Sequence, residues 1–187
     1  MGKQRVYTLP NQVHFITTNV FQRIPIFSNV DYCKIVIQKI NFYRKRYTFK
    51  LIGYMIMPDH IHLLIQPPEK QNISSIIRDL KRSIAMEIIN RLKRENKAGL
   101  LKSLKLPNVR SKNHTFSLWQ RRFIDFNIFS EKKLYEKLEY IHNNPVRGKL
   151  VSSPSDWIFS SYRNYFEEDD SMIAIDKIAM TYSPMKK

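Results

Sequence analysis

Residues 54–65 read YMIMPDHIHLLI. Strand-forming residues lie on both sides of Pro58-Asp59, a dipeptide that turns an extended chain back on itself. The stretch therefore reads as the turn of two adjacent strands, over 49–57 and 60–66. In the second strand His60 and His62 are separated by a single residue. Side chains alternate along a strand, so both imidazoles project from one face while Ile61 and Leu63 point into a core on the other. Two imidazoles side by side can hold one divalent metal ion. Alone, such a pair is more often structural, and the remaining chain has to decide.

Upstream, residues 13–20 (VHFITTNV) are rich in β-branched types and read as a strand. Pro25 makes 21–27 a connection. Residues 29–47 read as a helix with Ile35, Val36, Ile40 and Tyr43 at helical spacing, Asp31 in the first turn and cations near the end. Downstream, 72–94 carries the longest apolar stripe, from Ile73 through Ile77, Leu80, Ile84 and Ile88 to Leu92. Residues 97–114 read as a long basic loop, with a helical option at 100–104, and 118–128 as a strand. A helix over 130–143 follows, with Ser130 as N-cap, Leu134, Leu138 and Ile141 as its buried stripe, and Pro145 and Gly148 ending it. An aromatic segment, 157–166, is expected to dock on the body, and the tail from Glu167 has one apolar patch at 172–180. The order predicts an α+β, ferredoxin-like βαββαβ fold with an antiparallel sheet, plus a C-terminal helix. One domain over 1–166 and a partly ordered tail over 167–187 are expected.

The chain has 187 residues, with Lys and Arg totalling 32 against 16 Asp and Glu, a net charge of +16 and a pI near 10.0. Such a balance favours a polyanionic partner. No apolar run approaches the ~18 residues that span a bilayer. The start, MGKQRVYTLPNQ, has neither an apolar signal core nor the Ser/Thr of a myristoylation site. A lone cysteine, Cys33, leaves no internal disulfide and no cysteine zinc cage. The expectation is a cytoplasmic protein with no membrane partner.

Tyr140 gives the histidines a use. On 100° steps it lies off the Leu138–Ile141 stripe and shares one helix side with Lys133, Lys137 and Asn144. A phenol is a poor nucleophile at neutral pH. Lysines nearby favour the phenolate, and a divalent ion on the imidazoles would polarise a phosphoryl oxygen. The product would be a covalent phosphotyrosine. Asn144, one turn beyond Tyr140, could add an oxygen to the same ion, although a residue before proline resists the α conformation. Oxygen with imidazole suits Mg²⁺ or Mn²⁺.

Together, YMIMPDHIHLLI, WQRRF at 119–123, YIHNNPVRGKLV at 140–151 and DWIFSSYRNY at 156–165 resemble the single-tyrosine HUH transposases. The match is closer to the REP-associated tyrosine transposases than to the insertion-sequence branch, and it covers residues 13–165. The resemblance implies a ferredoxin-like fold and cleavage of single-stranded or hairpin DNA with a divalent metal. Carried over by motif, His60 and His62 are metal ligands, Tyr140 is the nucleophile and Asn144 assists the metal. The family includes enzymes whose two subunits share each site and others that work as monomers, so monomer and homodimer both stay open.

Arg78, Lys81 and Arg82 on the long helix, Lys133 and Lys137 beside Tyr140, and Arg147 beyond it are candidate phosphate contacts. Arg121 and Arg122 are candidates too, on opposite strand faces, so that one of them would face DNA. Trp119 and Phe123 read as core and His142 as structural or surface. The rival reading is a nucleic-acid-binding regulator that keeps the scaffold without cleaving. An RNA-binding module of the RRM type would need an RNP1-like run, which the chain lacks.

Overall fold

Strands β1 (Val13–Asn19), β2 (Lys50–Met57), β3 (His60–Gln66) and β4 (Ile124–Ile128) form one antiparallel sheet in the order β2-β3-β1-β4. The computed structural model describes residues 12–107 and 115–177. Helix α1 (Val30–Tyr47) joins β1 to β2, and α2 (Ile73–Arg94) with the short α3 (Ala98–Ser103) joins β3 to β4. This is the expected βαββαβ topology, with the first and third strands central. Both long helices start at asparagine caps. The Asn29 side chain accepts from the Asp31 N–H and that of Asn72 from the Ser74 N–H.

Strand alternation divides the interior in two. Ile16, Ile61, Leu63 and Ile65 join Val36 and Ile40 of α1 and Ile77, Leu80 and Ile84 of α2 in one core. Phe15, Met55, Met57 and Leu64 belong to a second core, beneath α4 (Glu131–His142), which contributes Leu134, Leu138 and Ile141. The molecule is thus layered as α1 and α2, the sheet, then α4. His60 and His62 share the Leu64 parity, so they lie on the α4 side.

Gly53 sits where α4 comes closest to the sheet. A Cβ built there would lie 2.8 Å from Leu138 Cδ2 and 3.3 Å from both Ile141 Cδ1 and Ser161 Oγ. Gly53→Val is expected to cost roughly 2 kcal/mol by overpacking this contact, measurable by urea unfolding. An unchanged midpoint would show that α4 docks without needing that gap.

The aromatic segment docks as expected, by covering the β2 edge. The Ile56 N–H donates to the Phe159 carbonyl, the Ser161 N–H to the Tyr54 carbonyl, and the Trp157 indole to the Ile56 carbonyl. Helix α6 (Tyr162–Phe166) follows. The early tail is also packed. Ile173 is buried in the α1/α2 core, and the Asp176 carboxylate accepts from the Leu51 N–H and pairs with Arg44 at 2.6 Å. The end of the tail's apolar patch, at 178–180, and loop residues 108–114, including His114, fall outside the described residues. Among the described residues no helix is long and apolar enough to cross a membrane.

Two expectations need correction. The strand over 118–128 shrinks to β4. Leu118 and Trp119 are consecutive yet both enter the α1/α2 core, which strand alternation does not allow. Trp119 makes only an isolated bridge to Val20, and the chain bends at Arg121 before β4 begins. The opposite-face assignment of Arg121 and Arg122 falls with that strand, since both are exposed. The second concerns Asn144: α4 ends ahead of Pro145 as expected, yet the residue before the proline is itself helical. Helix α4 stops at His142, Asn143 holds a near-helical φ of −85°, and α5 (Asn144–Arg147) starts at once. Proline near a helix start forfeits no hydrogen bond, so this turn forms and Gly148 closes it.

Candidate active site

His60 and His62 lie at the end of β3 with ring centroids 4.7 Å apart. Each imidazole is held through Nδ1. The Asp59 carboxylate accepts from His60 Nδ1 at 2.6 Å, and Thr17 Oγ on the neighbouring β1 lies 2.8 Å from His62 Nδ1. Thr17 is the register partner of His62, so sheet pairing itself sets this contact. Asp59 is steadied in turn by Arg23, 3.0 Å from its other oxygen. The carboxylate leaves Nε2 of His60 as the lone-pair nitrogen, and His62 has the same arrangement when Thr17 accepts from its Nδ1, the usual outer shell behind a metal-binding histidine. Burial pushes both imidazoles below the usual histidine range, His62 down to about 3, so both are neutral at pH 7, as ligation requires.

Helix α4 brings the tyrosine. The Tyr140 ring centroid is 5.6 Å from that of His62, edge-on, and 6.0 Å from Phe15, which stacks on His62 at 5.3 Å. The histidines are buried, whereas Tyr140 is 38% exposed. One turn on, Asn144 Nδ2 lies 2.9 Å from His62 Nε2. The same amide turned over presents its oxygen to that position. Among the described residues no group of three His, Cys, Asp or Glu side chains assembles. The candidate donor set is therefore two imidazoles and an amide oxygen, a combination that suits a hard divalent ion.

Two cations lie against the phenol. Lys137 Nζ and Arg147 Cζ are each 5.6 Å from the Tyr140 ring centroid. Lys133 is turned to Glu136 at 2.5 Å. The structure thus brings His60, His62, Tyr140, Asn144, Lys137 and Arg147 together. It does not bring Arg78, Lys81 or Arg82, because α2 covers the other face of the sheet. Arg78 pairs with Asp79 at 3.2 Å, and Arg82 lines a groove between α1 and α2 with Lys39, Tyr43 and Arg46. Lys81 is pushed down to about 8 by burial and donates to the Gln120 carbonyl. Reading the sequence alone missed Thr17, Asp59 and Phe15. Asp59 was detectable as the carboxylate beside His60; the other two depend on β1–β3 register.

His142 faces the opposite way from Tyr140. It is buried among Tyr162, Tyr165 and Phe166, with Nε2 2.9 Å from Ser161 Oγ, and burial pushes it down to about 3. A neutral folded imidazole that gains a proton on unfolding means the unfolded chain binds more protons. Stability is then full above pH ~6.5 and falls as pH drops towards 3, by about 2 kcal/mol per such imidazole at pH 5. Melting temperatures at pH 7 and 5 should show this fall, and His142→Gln should reduce it. An identical fall in the variant would remove His142 as a cause.

Residues 9–144 match the family described as IS200-like transposases. This chain belongs to that family. Two relatives are named REP-associated tyrosine transposases. The one from Haemophilus influenzae is 34% identical over 119 residues, covering 63% of this chain and 61% of its own. The one from Escherichia coli is 26% identical over 163 residues, covering 87% and 83%. A solved structure of a REP-associated tyrosine transposase bound to a REP hairpin superposes with a TM-score of 0.66 at 22% identity, over 97% of this chain and 96% of that one. At that identity the likeness concerns the fold, which agrees with the ferredoxin-like topology. The family match ends at Asn144, so it encloses His60, His62 and Tyr140.

Proposed function

We propose that this chain cleaves and rejoins single-stranded DNA beside a hairpin through a covalent 5′-phosphotyrosine at Tyr140. A Mg²⁺ or Mn²⁺ ion would be held by His60, His62 and Asn144. The observation that carries the reading is the convergence of Tyr140 and Asn144, one helical turn apart, on the buried face of His62. A binding module needs none of these three in one place. The hairpin comes from the solved relative, which is bound to one.

In the cleavage step the Tyr140 hydroxyl oxygen bonds to phosphorus and the bond from phosphorus to the 3′ oxygen breaks. The phenol loses its proton and the departing 3′ oxygen gains one. The downstream piece of the strand stays on Tyr140 through its 5′ phosphate, and the upstream piece leaves with a free 3′-OH. Attack by a second 3′-OH reverses the step and restores the phenol, so strand transfer needs no outside energy source. When bound, the ion would neutralise charge on the phosphoryl oxygens. Lys137 and Arg147, each 5.6 Å from the Tyr140 ring centroid, would supply positive charge beside the phenolate and phosphate. Thr17 and Asp59 keep the imidazoles oriented. All of these groups belong to one chain, so the reading requires no second subunit.

Incubation with hairpin oligonucleotides carrying unpaired flanks, with Mg²⁺ or Mn²⁺, should yield a nicked strand and a protein–DNA adduct stable to denaturant. Tight, salt-dependent binding with no nicking under any metal would instead favour the non-cleaving regulator.

A further inference from the structure

Strand β4 leaves an unusual surface at the mouth of this site. Ile124 and Phe126 lie two apart, so they share the sheet face that carries Phe15 and, beyond it, His62. Both are exposed, at 58% and 38%, on a strand whose outer edge has no partner among the described strands. Lys137 spans the gap to the nucleophile, with Nζ 5.1 Å from the Phe126 centroid, 4.7 Å from Phe15 and 5.6 Å from Tyr140. The Lys137 ammonium thus lies within about 6 Å of both the exposed Phe126 ring and the Tyr140 phenol ring.

From this arrangement we infer that the Ile124–Phe126 strip is a stacking platform for an unpaired base of the strand next to the scissile phosphate, with Lys137 holding the adjoining phosphate. The inference rests on the Tyr140 reading above and names where the single strand runs. Aromatic faces interleaved with cations are how proteins grip unpaired nucleotides, because every base has a π-face and every link a charge. A second copy of this chain is a poorer fit. It would bring another Lys137, and the same +16 net charge, against this one. A DNA strand joined to Tyr140 has the opposite sign and would start within reach of Lys137.

The test uses full-length protein and two hairpin oligonucleotides, one blunt and one with an unpaired flank bearing 2-aminopurine at successive positions. Phe126→Ala should weaken binding of the flanked hairpin about tenfold and leave the blunt one unchanged. One 2-aminopurine position should be quenched by wild type and not by the variant. Phe126→Trp should restore both signals and Phe126→Leu neither, since leucine keeps the apolar area and loses the π-face. Equal affinities for Phe126→Leu and wild type would overturn the platform. So would conversion of a wild-type dimer to a monomer by Phe126→Ala in light scattering, which would mean a second copy covers the strip. These readouts need no chemistry. Phe126-dependent quenching without a Tyr140 adduct would sustain the platform and sink the Tyr140 reading, and an adduct without such quenching would do the reverse.

Discussion

Tyr140→Phe is expected to abolish the covalent adduct with a cleavable hairpin oligonucleotide while leaving affinity for that DNA within about twofold of wild type. The loss should be complete at the limit of detection, because the change removes the oxygen proposed to bond to phosphorus. The ring itself stays. Its edge contacts with His62 and Phe15 and its two neighbouring cations do not depend on the hydroxyl, so the fold and the DNA surface persist. Denaturing gel electrophoresis of labelled oligonucleotide reads the adduct, and fluorescence anisotropy reads the binding. Loss of both together would assign Tyr140 to binding and leave the nucleophile unassigned.

His62→Ala should lower metal-dependent nicking by more than about a hundredfold, at any Mg²⁺ or Mn²⁺ concentration. His62 is the hub of the site: Thr17 holds its Nδ1, Asn144 reaches its Nε2, and Phe15 and Tyr140 pack on its ring. Thr17→Val should act more gently, raising the metal concentration needed for half-maximal nicking by about tenfold, since it removes only the orienting contact. Circular dichroism would confirm that both variants keep the sheet. Nicking by His62→Ala at the wild-type rate would exclude the histidine pair as the metal's anchor.

Much of this site was legible before any coordinates, because its parts are periodic. Two histidines two positions apart on a strand must share a face, and Tyr140 and Asn144 one turn apart on a helix must share a side. Neither rule depends on tertiary structure. What joined them does. That Thr17 stands opposite His62 is a matter of strand register, and a slip of one residue would have put Ile16 or Thr18 there. That α4 covers the histidine face rather than the α1/α2 face depends partly on Gly53, which lets Leu138 approach. The strand expected over 118–128 failed because the apolar pattern of Leu118 and Trp119 reflects one core touched by adjacent residues, not alternation. Pro145 follows the end of α4 as expected, but the helical turn that opens at Asn144 was not legible. The same residue that stops one helix opens the next, and only the Asn143 backbone shows which. The basic residues of α2 were singled out on charge alone, and charge carries no information about which side of the sheet it occupies.

The most direct measurement is peptide mapping of the trapped protein–DNA adduct by mass spectrometry, after nuclease digestion has trimmed the DNA to a short remnant. A phosphonucleotide mass on the peptide containing Tyr140, and on that residue within it, is the expected result. The same mass on another tyrosine, such as Tyr135 or Tyr162, or cleavage without any protein-linked product, would contradict the assignment of Tyr140 as the nucleophile.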